Sequence, residues 1–319
     1  MTAAVSVDLG GTWLRIRSGD VIERVPSPSA LRQPGVAADN LLQQLMDTLD
    51  RHAPHGAAVN ISCGAALDEQ NGVALGSGPL WGGAPTGEIP LLSMLSSRRP
   101  DVHWRLVNDV TAGLASFALG FARPTDRHIA YFTISSGIAA RTAILTDRSI
   151  PVDHRGLQGE VGHLRASTSA PEAVRTLPCA CGGIGHVSSI SSGPAVQAVA
   201  DVLEIRYDVD TFASSLAAGD PDSSRLLRTV VEPIAELIRT MIALDPRLDR
   251  IGIGGGVAEG LWEFYERELT GQLAETRSYA DSLTPERVAD IIHLCRPGDI
   301  DTLAGADAIA DGFLRVTKI

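Results

Sequence analysis

The chain has 319 residues, of which 44% are hydrophobic and 20% are charged, and its formal net charge is −11. This length allows two domains with a large buried core, and the composition is that of an ordinary globular protein. The acidic balance argues against nucleic acid as a main partner, because phosphate backbones are bound by clustered lysine and arginine. No signal-peptide pattern and no apolar run of about 20 residues is present, so we expect a cytoplasmic protein without a membrane span.

In chain order, the first third is predicted to alternate strands with helices. A strand over residues 3–9 leads into Gly10-Gly11-Thr12, and a second strand over 13–17 ends at a hairpin turn, Gly19-Asp20. Apolar residues at helical spacing predict a helix over 38–52. The next predicted elements are a strand over 57–62, a loop over 76–90, a strand over 104–107 and a helix over 110–121.

The rest of the chain opens with a similar pattern. A strand over 129–134 ends in Ser135-Ser136-Gly137, and another strand over 140–145 follows, which suggests a duplication of the opening hairpin. The alternation of strands and helices predicts α/β domains with central mixed sheets. The remaining predicted elements are an irregular region over 156–194, helices over 195–205, 224–244, 259–275 and 302–316, and a strand over 251–253.

Three glycine-containing turns that follow strands are candidates for binding a nucleotide. In the first, which runs from Asp8 through Gly10 and Gly11 to Thr12, an acid beside phosphate requires a cation, so Asp8 is predicted to hold Mg²⁺ through water. The alternative is a bare hairpin turn. The second is Ser135-Ser136-Gly137. The third is Gly254-Gly255-Gly256, which precedes a helix. The backbone N–H groups at the start of that helix could attract phosphate, or the three glycines could let an adenine or ribose lie flat against the chain. The alternative is that the glycines only allow close packing of the strand and the helix.

Polar side chains elsewhere suggest a second binding function. Asn108 and Asp109 end a predicted strand, where α/β folds present ligand-binding groups, although Asp109 could instead cap the next helix. Glu160 and His163 lie three residues apart and can accept from and donate to neighbouring hydroxyls, or form a satisfied buried pair.

The four cysteines are Cys63, Cys179, Cys181 and Cys295. Only Cys179 and Cys181 are close in sequence, and a reducing compartment disfavours disulfides. The pair therefore suggests a metal site, the alternative being a metal-free loop with two free thiols.

The order of these motifs resembles the ROK family of repressors, open reading frames and kinases. The pieces are Asp8 to Thr12, Asn108-Asp109, Gly156 to His163, Cys179 to Gly185 and Gly254 to Val257. The resemblance implies the α/β actin-like ATPase (ribonuclease-H-like) fold, with two domains around a central cleft. We expect a small α/β domain over 1–110 plus 300–319, and a large α/β domain over 111–299. The large domain carries the Cys179 to Gly185 loop, which matches the zinc-binding loop of the family.

The resemblance also implies roles for individual residues. Asp109 matches the catalytic base of the family, and Asn108, Glu160 and His163 match residues that contact the sugar. His163 with Cys179, Cys181 and His186 would form a structural zinc site, His186 standing where the family usually has a third cysteine. The implied cofactors are ATP, Mg²⁺ and Zn²⁺, and the implied assembly is a homodimer. The nucleotide would contact Asp8, Gly10, Gly11, Thr12, Ser135, Ser136, Gly137, Gly254, Gly255 and Gly256.

Three positions depart from the glucokinase pattern. Ser135-Ser136-Gly137 replaces Gly-Thr-Gly, Ser77 replaces an asparagine of the sugar loop, and Ser188 replaces a sugar-binding glutamate. Because a site rejects ligands that leave its polar groups unpaired, changed polar groups suggest a changed ring. Together with these changes, the resemblance to ROK kinases implies an ATP-dependent kinase for the primary hydroxyl of a hexose or hexose-like ring, such as the amino-hexose kanosamine or a C7-cyclitol.

Other functions remain open at this point. One alternative is a divergent glucokinase or an N-acetylhexosamine kinase. Alternatives of another class are a sugar-binding pseudokinase, suggested by the changed serine turn, and a transcription regulator. Regulators of the family carry a DNA-binding segment before the first glycine turn, whereas seven residues precede Asp8 here. The retained Asp8 and Asp109 favour an enzyme over a pseudokinase.

Overall fold

A computed structural model describes residues 4–82, 87–279 and 283–319 of the chain. The first part of the chain alternates strands with helices, as the apolar spacing predicts. Its strands are β1 (Ala4–Leu9), β2 (Trp13–Ser18), β3 (Val21–Pro26), β4 (Ala58–Cys63), β5 (Ala66–Asp68), β6 (Val73–Gly76) and β7 (His103–Asn108). Its helices are α1 (Ala38–His52), α2 (Gly78–Trp81), α3 (Leu91–Arg98) and α4 (Asp109–Phe121).

The second part of the chain holds more helix than strand. Its strands are β8 (His128–Ile134), β9 (Ile138–Ile144), β10 (Ser149–Val152), β11 (Arg250–Gly254), β12 (Ile292–Leu294) and β13 (Arg315–Lys318). A 3₁₀ turn covers Val161–His163. The helices are α5 (Glu172–Arg175), α6 (Ser188–Ser191), α7 (Gly193–Val202), α8 (Phe212–Ala217), α9 (Pro221–Leu244), α10 (Gly256–Gly260), α11 (Trp262–Ala274), α12 (Pro285–Ile291) and α13 (Thr302–Ala310).

The chain forms two compact units. Unit one comprises residues 1–121, 141–159 and 301–319, and unit two comprises residues 122–140 and 160–300. The predicted domains instead divided the chain after residue 110 and before residue 300. Two segments account for the difference, since both lie in unit one and not in the predicted large domain. The first is α4, which packs against α13. The second carries β10, which pairs with β13.

Unit one contains a five-stranded sheet in the order β3-β2-β1-β4-β7. Strand β1 alternates buried Val5, Val7 and Leu9 with polar residues, so one face of the sheet builds an apolar core. Strands β1, β4 and β7 run parallel, and their register places Leu9 beside Cys63 and Cys63 beside Asn108. The carboxyl ends of these strands therefore lie in a row at one edge of the sheet.

Helix α13 ties the end of the chain to the sheet of unit one. The carboxylate of Asp307 accepts hydrogen bonds from Ser6 at 2.8 Å, from Arg17 at 2.8 Å and from Asn60 at 2.8 Å. The same helix packs closely on α4, because a Cβ added to Gly305 would lie 1.9 Å from the backbone oxygen of Ala112.

Unit two is built on the parallel strands β12, β11 and β8, followed by the start of β9. Its longest helix is α9, with 24 residues, which begins after Asp220, whose side chain accepts from the backbone N–H of Ser223. The buried stripe of α9 lies at helical spacing and joins the apolar core of this unit. The stripe consists of Leu226, Leu227, Val230, Val231, Ile234 and Ile238.

The predictions over 302–316 and 76–90 are wrong in part. The predicted helix over 302–316 ends at Ala310, and Arg315–Lys318 form β13, because they pair in parallel with β10. The predicted loop over 76–90 contains the short helix α2, which Ser77 caps by accepting from the backbone N–H of Leu80. Residues 83–86 of that predicted loop lie outside the described residues.

Within residues 4–82, 87–279 and 283–319, no helix combines the length and the apolar character that crossing a bilayer requires.

Candidate active site and metal cluster

Asp109 lies at the edge of the sheet of unit one where the parallel strands end. It is the first residue of α4, directly after β7, and it is partly exposed. Its neighbour across the sheet edge is Gly64, which follows β4. A Cβ on Gly64 would lie 3.4 Å from Oδ2 of Asp109 and 3.3 Å from the backbone oxygen of Leu9. The missing side chain therefore leaves space beside the carboxylate.

Asn108 holds the first turn of α4 in place. Its side chain is buried, with the amide nitrogen donating to the backbone oxygen of Ala65 at 2.7 Å. Its amide oxygen accepts from the backbone N–H groups of Val110 at 3.0 Å and of Thr111 at 3.3 Å. This oxygen caps the helix, so Asn108 has one amide N–H left for a substrate.

Ser77 lies next to the same sheet edge. Its hydroxyl donates to the backbone oxygen of Gly64 at 2.7 Å, and Gly64 in turn lies against Asp109. Pro79, two positions after Ser77, packs against Gly11 of the first glycine turn. The first glycine turn, Gly64 and the Ser77 loop thus meet around Asp109 within unit one.

Asp8, the predicted magnesium residue, is held by an arginine. Arg15 lies opposite Asp8 on β2 and donates to Oδ2 through Nη2 at 2.8 Å and through Nε at 3.0 Å. Ser62 donates to Oδ1 at 3.1 Å. A cation bound through water would therefore share this carboxylate with Arg15.

Cys63 ends β4 between the two carboxylates. Burial raises the pKa of its thiol, and the negative charges of Asp109 and Asp8 raise it further. Cys63 is therefore a neutral thiol, which adds no charge to the sheet edge.

The two glycine turns of unit two lie against each other. Gly255 has a φ of +96°, and a Cβ on it would lie 2.6 Å from the backbone nitrogen of Ile134. Ile134 immediately precedes Ser135, whose backbone oxygen accepts from the N–H of Gly193 at the start of α7 at 2.8 Å. The ends of β8 and β11 and the beginning of α7 therefore form one surface made mostly of backbone.

The chemistry of the third turn favours a neutral group over phosphate. The backbone N–H of Gly255 donates to Oε1 of Glu259 at 2.8 Å. Because this carboxylate already lies at the turn, a phosphate there would meet a negative charge. Of the two earlier interpretations, an adenine or ribose lying on the Gly254–Gly256 backbone fits this arrangement better.

Four side chains of unit two form a cluster of metal-binding groups. The ligand atoms of His163, Cys179, Cys181 and His186 all lie within 4.8 Å of one another. Sγ of Cys181 is 3.3 Å from Nδ1 of His186, and Sγ of Cys179 is 3.8 Å from Nδ1 of His163. Sulfur and nitrogen ligands of one tetrahedral Zn²⁺ are separated by about 3.6 Å. Both the donor set and its spacing therefore fit zinc.

The Glu160–His163 turn lies directly against Ser188. A Cβ on Gly162, inside this turn, would lie 2.3 Å from the hydroxyl oxygen of Ser188 and 2.2 Å from the backbone oxygen of Ile138. His163 directs Nδ1 to the metal cluster, so its Nε2 is the nitrogen left for another partner. The turn that carries Glu160 and His163 therefore lies beside Ser188.

Comparison with known proteins gives the family. The sequence matches the ROK family model over residues 4–311. The chain belongs to the ROK family. This ROK chain is 38% identical to the 2-epi-5-epi-valiolone 7-kinase of Actinoplanes sp., over 95% of its own length and 91% of that protein. It is 26% identical to the N-acetylmannosamine kinase of Haemophilus influenzae, over 83% of its length and 85% of that protein.

A solved structure agrees with the family at the level of the fold. The ROK chain is similar to a ROK family glucokinase from Streptomyces griseus, determined with glucose and AMPPNP, with a TM-score of 0.69 and 18% identity. The match covers 96% of this chain and 98% of that one. The predicted ROK membership, actin-like α/β fold and kinase class are thus confirmed. The roles of single residues, a bound zinc and a homodimer stay predictions.

Several neighbours of the motifs were not foreseen in this ROK chain. Gly64, Arg15 and Glu69 lie next to predicted site residues or to the helix that carries Asp109, and Arg141 lies next to Glu69. The sequence does give a sign of Arg141, since it is the one charged residue in the otherwise mostly apolar strand Ile138–Ile144. A charge in the middle of such a strand is rare unless it is paired, and its partner could have been sought.

Proposed function

We propose that this protein is an ATP-dependent kinase that phosphorylates the primary hydroxyl of a C7-cyclitol. The observation that carries the proposal is the 38% identity, over 95% of the chain, with a 2-epi-5-epi-valiolone 7-kinase. Identity with the N-acetylmannosamine kinases is lower, at 26% over 83% of the chain. A cyclitol also agrees with the two serines that replace larger polar residues of the glucokinase pattern.

In this proposal, Asp109 removes the proton from the attacking hydroxyl. A general base must come within hydrogen-bond reach of that proton, and the space above Gly64 gives a hydroxyl room to approach Oδ2. Asn108 keeps the first turn of α4 fixed and offers its remaining amide N–H to the acceptor. Phosphoryl transfer depends mainly on such positioning and on charge stabilisation.

We propose that the acceptor ring is bound by short polar side chains. Ser77 and Ser188 are serines where related glucokinases carry asparagine and glutamate. The hydroxyl of Ser77 already donates to Gly64, so it can offer a substrate only an acceptor lone pair. Glu160 and Nε2 of His163 supply the longer polar groups. A ring that needs fewer hydrogen bonds at these two positions is therefore favoured.

The nucleotide is proposed to use the backbone surfaces of both glycine-rich regions. In unit two, Ser135-Ser136-Gly137 would contact phosphate, and Gly254-Gly255-Gly256 would lie under the adenine or ribose. In unit one, Gly10, Gly11 and Thr12 would contact phosphate. Mg²⁺ would be held through water near Asp8, whose charge is shared with Arg15. The ion would neutralise charge that develops on the phosphoryl group.

Zinc is proposed to hold the loop that carries His163. Two thiolates and two imidazoles close a tetrahedral site and leave no open position, which is the arrangement of structural zinc. By binding Nδ1, the metal would fix the orientation of the His163 ring toward the substrate.

An ADP-release assay with ATP and Mg²⁺ tests the proposal. The acceptors would be 2-epi-5-epi-valiolone, valiolone, kanosamine, glucose, N-acetylmannosamine and N-acetylglucosamine at equal concentrations. We expect the C7-cyclitols to give a kcat/KM at least about tenfold above every hexose, since a site that lacks matched polar partners discriminates strongly. A clear preference for N-acetylmannosamine or glucose would contradict the cyclitol assignment. Binding without turnover for all acceptors would support a sugar-binding pseudokinase instead.

A further inference from the structure

Glu69 binds both sides of the motif that contains Asp109. Its Oε1 accepts a hydrogen bond of 2.6 Å from the hydroxyl of Thr111, in the first turn of α4. Its carboxylate also accepts from the backbone N–H of Asn108, at the end of β7. Thr111 is completely buried, and the side chain of Glu69 is only 5% exposed. A single buried carboxyl group therefore connects the residue before Asp109 with the residue two positions after it.

Arg141 is the positive charge beside this carboxyl group. Its side chain is 1% exposed, and Nη2 lies 3.7 Å from Oε1 of Glu69. Within the part of the chain that the structure describes, neither Nη1 nor Nη2 of Arg141 has a hydrogen-bond partner. Hydrophobic residues of similar volume often stabilise a protein as well as a buried ion pair does. Stability alone therefore gives a weak reason for a charged pair at this position.

We propose that Glu69 is a positioning residue for phosphoryl transfer: together with Arg141, it fixes the direction of the Asp109 carboxylate. The inference rests on the proposed role of Asp109 as the base. The carboxylate of Asp109 stands at a junction between strand and helix, where small rotations of the first helical turn move it. Glu69 restrains that turn at Asn108 and at Thr111, and Arg141 holds Glu69 in the core.

This arrangement predicts an effect on turnover and not on binding. A displacement of about 1 Å at a reacting group can lower the rate about 100-fold. Neither Glu69 nor Thr111 is exposed to a ligand, so the affinity for acceptor and ATP should hardly change. A purely structural role would instead lower the amount of folded protein and leave the turnover of the folded fraction unchanged.

The test compares Thr111→Val, which keeps the shape and loses the hydroxyl, with Thr111→Ser, which keeps the hydroxyl. With the preferred acceptor, we expect Thr111→Val to lower kcat about 10-fold or more, with both KM values within about 2-fold of wild type. Thr111→Ser should recover kcat to within about 3-fold of wild type. Glu69→Gln, which removes the charge and keeps the volume, should lower kcat in the same way as Thr111→Val.

A matched control lies in unit two. Asp126 is a carboxylate whose side chain is 2% exposed and which pairs with Arg123 at 2.9 Å. Asp126→Asn should lower the melting temperature and leave kcat per folded molecule unchanged.

Three results would overturn the inference. The first is an unchanged kcat in Thr111→Val and Glu69→Gln. The second is a loss in Thr111→Val that Thr111→Ser does not recover. The third is an equal loss of kcat in Asp126→Asn. If the wild-type protein turns over none of the acceptors, the proposed function is overturned. The three results above are obtained with a wild-type protein that is active, so they overturn the inference about Glu69 alone.

Discussion

At the scale of single residues, the proposed chemistry depends on Asp109 and on the groups that surround it. Gly64 gives it space on one side, and Asn108 caps the helix that begins with it. We expect Asp109→Asn to lower kcat by about 10²- to 10⁴-fold, because the amide cannot accept the proton of the acceptor. Calorimetry should show acceptor binding close to that of wild type.

The control for this substitution is Asp50→Asn on α1. Asp50 lies far from Asp109 in sequence, and its carboxylate pairs with Arg98. It should leave kcat unchanged. If Asp109→Asn keeps more than about a tenth of the wild-type kcat, Asp109 is not the general base.

The ionisation of Glu69 makes stability depend on pH. Burial raises its pKa to about 7, against lowering contributions from Arg141, Thr111 and the backbone of Asn108 and a small raising contribution from Asp68. Between pH 4.5 and about 7 the folded protein keeps a proton that the unfolded chain has released, so this residue lowers stability as the pH rises through that window.

Glutamine at this position cannot ionise. The free energy of unfolding of Glu69→Gln minus that of wild type should therefore rise by at most about 3 kcal/mol between pH 4.5 and pH 8. Urea denaturation at a series of pH values measures this difference. A difference that is constant with pH would show that Glu69 ionises in the folded protein as it does in the unfolded chain.

At the scale of elements, the contact between α13 and α4 is sensitive to volume. A methyl group on Gly305 would overlap the backbone oxygen of Ala112 at 1.9 Å, so the two helices must separate in Gly305→Ala. We expect a loss of about 2–3 kcal/mol of unfolding free energy from this overpacking. Since α4 begins with Asp109, kcat should fall as well. Thermal denaturation and the ADP-release assay measure the two effects.

Gly120, on the partner helix α4, provides the control for this substitution. It is exposed near the end of α4, and a Cβ on it would meet no atom within 4 Å. Gly120→Ala should leave stability unchanged or raise it by up to about 1 kcal/mol, because alanine favours helix. If both alanine variants behave alike, the close contact of α13 with α4 does not limit stability.

The loop with the metal cluster gives a prediction of its own. The purified protein should contain one Zn²⁺ per chain by plasma mass spectrometry, and His186→Ala should contain less than half of that amount, because one of four ligands is removed. His154→Ala removes an exposed histidine outside the cluster and should keep the full zinc content. Equal zinc contents in the two variants would exclude His186 as a ligand.

Elements whose signals are local could be predicted from the sequence, and those that depend on distant partners could not. Helix 38–52 was predicted with its observed bounds, since its apolar residues repeat at helical spacing and Leu41, Leu45 and Leu49 are buried. The predicted helix over 302–316 overlaps the start of the strand Arg315–Lys318, because the pairing partner of that strand, β10, lies more than 160 residues earlier.

The same distinction holds for the candidate site. Asn108, Asp109 and the four metal-binding side chains belong to compact motifs, so the sequence alone predicts them as site residues, and the structure brings the four metal-binding groups together. Glu69 and Arg141 are 72 positions apart and meet only through the fold, so neither residue was identified.

At the scale of the whole molecule, contacts between distant parts of the chain complete unit one. Asp307 binds Ser6, Arg17 and Asn60, of which Ser6 and Asn60 are buried. Asp307→Ala should lower the free energy of unfolding by about 2–3 kcal/mol, because it leaves buried polar groups without a partner. Urea denaturation measures the loss.

Asp311→Ala changes an exposed carboxylate in the same terminal segment and should have an effect within about 0.5 kcal/mol. Equal stabilities of the two variants would mean that the interactions of Asp307 contribute little to folding.

The three-segment construction of unit one also sets the order of events during synthesis. A ribosome adds about 5–20 residues per second, so residue 307 is made roughly 15–60 s after residue 6. Throughout that interval the nascent strands β1 and β4 have no α13 to pack against. Ser6 and Asn60 lack the carboxylate of Asp307, to which they donate hydrogen bonds in the folded protein. All residues of unit two are made by residue 300. A newly made chain therefore contains every residue of unit two before it contains Asp307, which completes the polar contacts of Ser6 and Asn60.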